Sequence, residues 1–141
     1  MFTIRHIDHV ALTVSDVERS VAWYQEVLGL ERRYQEAWGS CPAVMCAAET
    51  SVALFPSAAG PPLPSPDPRA TLAMRHLAFR VDRENFARAR QALGKRGIQF
   101  RFEDHEISHS IYFHDPDGYV IEITTYDLGS PPPTPPAPPA E

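Results

Sequence analysis

Hydrophobic positions in this sequence change between strand-like and helix-like spacing in the same order twice. The first half predicts a strand over 6–14, a helix over 16–28, and strands within 30–38, 42–49 and 50–56. The second half predicts a strand over 74–81, a helix over 83–95, and strands within 98–106, 109–115 and 119–127. Each half is therefore predicted to be a β-α-β-β-β unit.

The residues at element boundaries support these limits. Asp16 carries a side-chain oxygen that can cap the first helix, and Gly29 supplies the positive φ that ends it. The Asp-Pro-Asp-Gly run at 115–118 is typical of a tight turn between the last two strands, and it lacks the spacing of a calcium loop.

The two halves also match each other in sequence. The run His-Val-Ala-Leu-Thr-Val from His9 aligns with His-Leu-Ala-Phe-Arg-Val from His76, which indicates an internal duplication. We therefore predict one domain over 1–128, with a first module at about 4–56, a proline-rich linker at 57–70 and a second module at about 71–128. The proline-rich tail at 129–141 is predicted to be disordered or polyproline-like, and no chemistry is assigned to it.

Composition narrows the classes of partner. The 141 residues carry 13 Lys and Arg against 18 Asp and Glu, a formal net charge of −5, and the longest basic cluster is the pair Arg32-Arg33. A chain with this acidic balance and no basic patch is a poor candidate for binding nucleic acid or a membrane surface. Because no apolar run reaches the length of a spanning helix and the first residues lack a leader pattern, we expect a cytoplasmic protein.

Three residues stand out as candidate metal ligands. His9 and His76 occupy the same position in the two repeats, so a two-fold arrangement of the modules would turn both imidazoles toward one point. Glu122 places a carboxylate among the alternating apolar residues of the last strand, where a buried charge needs a partner. Two imidazoles and one carboxylate form a facial triad that suits Fe(II) first and Mn(II) next. The alternative is that both histidines serve only the structure.

Two segments carry a resemblance to a known family. The run IDHVALTVSDVERSVAWYQEVLGL and the run SIYFHDPDGYVIEI resemble the vicinal oxygen chelate superfamily, which includes glyoxalases, extradiol dioxygenases, bleomycin-resistance proteins and fosfomycin-resistance enzymes. The resemblance covers about residues 4–127. It implies an α+β fold in which two βαβββ modules form an incomplete, cup-shaped, eight-stranded mixed barrel around the metal. It also implies a homodimer and a small-molecule substrate.

Within that family, the ligand set separates the chemistries. Isomerases that resemble glyoxalase use a fourth ligand on the last strand of the first module and prefer Ni, Zn or Co ions; the matching position here is Leu54, which cannot bind a metal. Fosfomycin-modifying members carry a threonine two residues after the first histidine, where this chain has Ala11. Both branches are therefore less favoured, and a bleomycin-type binding protein would lack the three ligands.

The resemblance favours a ring-cleaving extradiol dioxygenase that acts on a catechol-type vicinal diol. Tyr112 matches the tyrosine that hydrogen-bonds the substrate oxygen in those enzymes, and fosfomycin-modifying members carry a tyrosine at the same position. An acid/base histidine is also needed, and His105, His109 and His114 are the candidates. We select His109, although its odd spacing from Tyr112 on a regular strand points the two side chains to opposite faces.

Overall fold

The computed structural model describes residues 1–129, and the predicted tail beyond Gly129 lies outside them. The first module contains β1 (His9–Val14), α1 (Val17–Leu28), β2 (Glu31–Arg33), α2 (Gln35–Trp38), β3 (Ala43–Ala47) and β4 (Thr50–Pro56). The second contains β5 (Leu77–Arg80), α3 (Arg83–Lys95), β6 (Arg101–Asp104), β7 (His109–His114) and β8 (Val120–Thr125).

The strands form two four-stranded mixed sheets with the same topology. The order is β1-β4-β3-β2 in one sheet and β5-β8-β7-β6 in the other. The first strand of each module runs parallel to the last, and the remaining pairs are antiparallel. The α+β class and the two βαβββ modules are confirmed, and the eight strands form an open arrangement without a closed barrel.

Local sequence explains the limits of the long helices. The Asp16 carboxylate accepts a hydrogen bond from the Arg19 backbone N–H at the start of α1, and Gly29 ends that helix at a φ of 68°. Asp82 caps α3 in the same way by accepting from the backbone N–H of Asn85. These side chains satisfy backbone donors that would otherwise have no partner within the helix.

The second half of one predicted strand is replaced by a turn of helix. The pairing of β2 ends at Arg33, because Tyr34 adopts a left-handed φ of 67° that strand geometry does not allow. The next residues, Gln35–Trp38, form the short helix α2. The strand expected within 30–38 is therefore limited to three residues.

The main hydrophobic core of the described residues lies under the helix-facing sides of both sheets. Alternate residues of β1, β3 and β4 pack against Val21 and Tyr24 of α1, and alternate residues of β7 and β8 belong to the same core as Phe86 and Leu93 of α3. The buried strand residues are Leu12, Val14, Ala43, Met45, Val52, Leu54, Ile111, Phe113, Ile121 and Ile123. Because strand residues alternate between faces, the opposite face of each sheet carries a different set of side chains, which in the first sheet includes the small buried cluster Val44, Cys46 and Ala53.

The turn between β7 and β8 joins the second module to the first. The hydroxyl of Tyr24 donates a 2.9 Å hydrogen bond to the buried carboxylate of Asp115. Asp117 accepts hydrogen bonds from the backbone N–H and hydroxyl of Ser15 and pairs with Arg19 at 3.1 Å. The predicted turn at 115–118 is thus a structural joint, and both of its carboxylates are occupied by these contacts.

Burial makes Tyr24 a permanent donor at this joint. Desolvation of the Tyr24 hydroxyl raises its pKa far above the usual value, and the negative charge of Asp115 raises this pKa further. The Asp115 carboxylate also accepts from the backbone N–H groups of Asp117 and Tyr119, both at 2.9 Å. Asp115 is only 5% exposed and has little access to water, and these protein donors satisfy its carboxylate instead.

None of the helices within residues 1–129 is long and apolar enough to cross a membrane.

Tyr24→Phe is expected to lower the free energy of unfolding by about 1.5–3 kcal/mol, because it removes a hydrogen bond to a buried charged group. Urea denaturation measures the change. Tyr126→Phe is the matched control, since this tyrosine is half exposed, and it should change stability by less than about 0.5 kcal/mol. Equal effects of the two substitutions would show that the joint does not stabilise the fold.

Candidate active site

The candidate active site lies on the side of the second sheet that faces away from the core. The strand register places Ala78, Glu122, Tyr112 and Arg101 in one row across β5, β8, β7 and β6. Residues paired across strands point to the same side, so these side chains share one face. We call this face, together with His76 and His105 at its edges, the polar face.

His76 and Glu122 meet on the polar face. His76 lies one residue before β5, and its Nε2 atom is 2.8 Å from Oε2 of Glu122. Glu122 is only 7% exposed, so its negative charge depends on this neighbour or on a cation in the same place. The structure therefore brings together two of the three predicted ligands.

Tyr112 lies between Glu122 and a histidine. The Nε2 atom of His105 is 3.1 Å from the Tyr112 hydroxyl oxygen, and the His76 ring meets the Tyr112 ring edge-on at 5.6 Å. Burial raises the pKa of the Tyr112 hydroxyl, and the charge of Glu122 beside it raises this pKa further. The hydroxyl is therefore a hydrogen-bond donor at neutral pH.

His109, the acid/base residue selected from the sequence, lies on the other face of the sheet. Its ring contacts Phe102 at a centroid distance of 5.2 Å and Phe86 of α3 at 6.5 Å. The physical reason is strand alternation, since His109 and Tyr112 are an odd number of residues apart within β7. His105 takes the position beside Tyr112 instead.

His9 lies on the corresponding face of the first sheet, apart from His76 and Glu122. Its Nδ1 atom is 2.7 Å from a carboxylate oxygen of Asp8, and its side chain is half exposed. Within residues 1–129, no group of three or more His, Cys, Asp or Glu side chains is close enough to hold a metal ion. A single copy of the chain therefore presents His9 separately from the other two predicted ligands.

The strand register shows that Ala53, not Leu54, is the residue of the first module that corresponds to Glu122. Glu122 pairs with Ala78, two residues after His76, and the equivalent position after His9 is Ala11, which pairs with Ala53. Leu54, the position selected from the sequence, points into the core and is fully buried. Ala53 carries no donor atom, so the first module still lacks a fourth ligand.

A crevice of about 1510 Å³ opens over the polar face. It is lined by His76, Tyr112 and Glu103 on one side and by residues 64–69 of the proline-rich linker on the other. Sequence reasoning treated this segment only as a connection. The sequence did carry a signal for the other polar side chains of this face. Arg101, Glu103 and His105 occupy alternate positions along and just after β6, and such spacing places them on one side of the sheet.

The donor set fits a divalent cation in part. One imidazole and one nearly buried carboxylate are ligands that Fe(II), Mn(II) and related ions accept, and the neighbouring row position at Ala78 leaves space. A third protein ligand is required, and His9 has the right chemistry. His76 and Tyr112 line the crevice that the linker encloses, so a small molecule bound there would lie beside these donors.

Comparison with known proteins agrees with this architecture. Residues 6–123 match the model of the Glyoxalase/Bleomycin resistance protein/Dioxygenase superfamily. The glutathione transferase FosA of Serratia marcescens is 29% identical over 127 residues, which cover 90% of this chain and 85% of that protein. The catechol-2,3-dioxygenase of Bacillus subtilis is 30% identical over 124 residues, 84% of this chain but only 40% of the dioxygenase.

Solved structures give the same result. A glyoxalase/dioxygenase from Nostoc punctiforme superposes with a TM-score of 0.72 at 29% identity, covering 86% of this chain and 90% of that one. Both the repeated βαβββ topology and the sequence match extend across the two modules. The chain therefore belongs to the glyoxalase/bleomycin resistance protein/dioxygenase superfamily.

Proposed function

We propose that this protein is a metal-dependent enzyme that acts on a small molecule with two adjacent oxygens, and that its leading reaction is ring cleavage of a catechol-type diol by dioxygen. His9, His76 and Glu122 would hold Fe(II), or Mn(II) as the second choice. A cation in such a triad keeps about three coordination positions open and supplies a template and a Lewis acid. The observation that carries the proposal is the Tyr112 hydroxyl placed between Glu122 and His105.

The side chains of the polar face have separate tasks in this proposal. Tyr112 donates its hydroxyl proton in a hydrogen bond to a substrate oxygen, because its raised pKa keeps that proton in place. His105, 3.1 Å from the same hydroxyl, exchanges a proton with the substrate as general acid and base. The linker residues 64–69 close one side of the crevice and limit the access of water.

A thiol transferase of the fosfomycin-resistance type is the second candidate. One observation favours it: the match to FosA covers 85% of that protein, whereas the match to the catechol dioxygenase covers 40%. Ala11, where fosfomycin-modifying members are expected to carry threonine, counts against it. A glyoxalase-like isomerase with Ni, Zn or Co is less favoured, because Ala53 cannot supply a fourth ligand.

Oxygen uptake separates the two leading reactions. Protein loaded anaerobically with Fe(II) is expected to consume dioxygen with a catechol and to form a yellow ring-opened product. Protein loaded with Mn(II) is tested in parallel for loss of glutathione thiol in the presence of fosfomycin. Thiol loss without any oxygen uptake would replace the dioxygenase by the transferase. Failure of every divalent ion to bind would contradict both and favour a binding protein.

His105→Gln is expected to lower kcat for catechol by about 10²–10⁴-fold, the range for loss of a general acid/base. His109→Gln, the matched control on the opposite face, should keep kcat within about twofold of the unsubstituted protein. Both variants should keep the full metal content, which elemental analysis measures. A large loss of kcat in the His109 variant alone would contradict this assignment and identify His109 as the general acid and base.

The separation of His9 from the other two ligands leads us to propose a homodimer in which the first module of one copy faces the second module of the other. The edge strands β1 and β5 have a free side in the described sheets. Exposed apolar side chains at Phe2, Ile4 and Ile7 precede β1, and Leu72 and Met74 precede β5. A second copy would cover these side chains and bring His9 to His76 and Glu122.

His9→Ala, His76→Ala and Glu122→Ala are each expected to abolish stoichiometric Mn(II) binding, measured by electron paramagnetic resonance. Co-expression of the His9 and His76 variants should restore binding to about one quarter of the sites, because half of the dimers are mixed and each mixed dimer has one intact site.

Two results would contradict this arrangement. If each site is built within one chain, the co-expressed pair binds no metal, since every copy lacks one ligand. If Glu122→Ala keeps full Mn(II) content, the triad itself is wrong. His6→Ala is the control, because His6 is an exposed histidine that pairs with Glu49 and should leave metal binding unchanged.

A further inference from the structure

The end of β6 carries charged side chains at the edge of the polar face. Arg101 and Glu103 are two residues apart on this strand, so both point to the same side, and His105 follows in the same alternation. The guanidinium of Arg101 forms an ion pair with the carboxylate of Glu103. It also lies 5.1 Å above the ring of Tyr112.

Glu103 also reaches the imidazole that contacts Tyr112. Its Oε2 atom is 3.4 Å from Nε2 of His105, and this same nitrogen is 3.1 Å from the Tyr112 hydroxyl. The Glu103 side chain is one-third exposed and lines the crevice, so it is partly shielded from solvent. Its two carboxylate oxygens are thus shared between Arg101 and His105.

We infer that Glu103 is a positioning residue whose carboxylate holds the His105 imidazole against the Tyr112 hydroxyl. His105 follows the last residue of β6 and precedes a loop in which Glu106 adopts a positive φ of 69°. Without a partner, a half-exposed histidine at this point samples several rotamers. Glu103 limits that freedom from one side, and Arg101 fixes Glu103 from the other.

The inference rests on the proposed function for its catalytic meaning, but the positioning itself is measurable in the protein without substrate. The informative pair of variants is Glu103→Leu, which removes the carboxylate and keeps most of the volume, and Glu103→Gln, which keeps a polar group of the same shape and removes the charge. A residue that only filled space would tolerate both changes equally.

In NMR spectra of the intact chain, the ring protons of His105 and Tyr112 are expected to show cross-relaxation, because the ring centroids are 6.4 Å apart. Glu103→Leu should remove these signals, and Glu103→Gln should restore part of their intensity. With a catechol as substrate, Glu103→Leu should lower kcat by about 10–100-fold while KM changes less than about twofold, as expected for a misplaced catalytic group.

The matched control is Glu84→Leu, which removes an exposed carboxylate that pairs with Arg88 on α3 and should change neither measurement. Unchanged cross-relaxation in Glu103→Leu overturns the inference, whatever the activity. Loss of the signals in a protein that shows no oxygen uptake supports the positioning role and places the failure in the proposed reaction. Retention of the signals in both the leucine and the glutamine variants also overturns it.

Discussion

The nearly buried carboxylate of Glu122 is the constraint around which the polar face is built. A carboxylate that is 7% exposed and lies between Ile121 and Ile123 on its strand is unfavourable unless a positive charge or donors compensate it. His76 at 2.8 Å and the protonated hydroxyl of Tyr112 provide that compensation within one chain.

The duplication makes the difference between the two modules informative. Equivalent rows of the two sheets carry Ala11 and Ala53 in the first module, and Ala78 and Glu122 in the second. The first module therefore contributes one imidazole and small side chains, whereas the second contributes a carboxylate, a tyrosine and further polar groups. In the proposed dimer, the polar side chains on the second module of one copy would face the small side chains on the first module of the other.

Most of the fold followed from the sequence, because helix caps, strand alternation and the repeat are local signals. The limits of α1 and α3 and the tight turn at 115–118 agree with expectation. The strand expected through Trp38 was wrong because nothing in the local pattern reports the left-handed backbone of Tyr34. The one-residue slip from Ala53 to Leu54 arose because periodicity identifies a strand but does not give its register with a partner.

The site depended on register even more than the fold did. Odd spacing already indicated that His109 and Tyr112 face opposite sides, yet only the pairing of β6 with β7 shows that His105 reaches back to Tyr112. The distance between His9 and the other two ligands was not accessible from the sequence, because symmetry relates equivalent residues without saying whether one chain or two bring them together.

The joint between the modules connects the core to the polar face. The turn at 115–118 links β7, which carries Tyr112, to β8, which carries Glu122. Its carboxylates are held by Tyr24 and by the start of α1 in the other module. The backbone pairing of β7 with β8 sets Tyr112 opposite Glu122, and the contacts of the turn with Tyr24 and Ser15 tie this pair of strands to the first module.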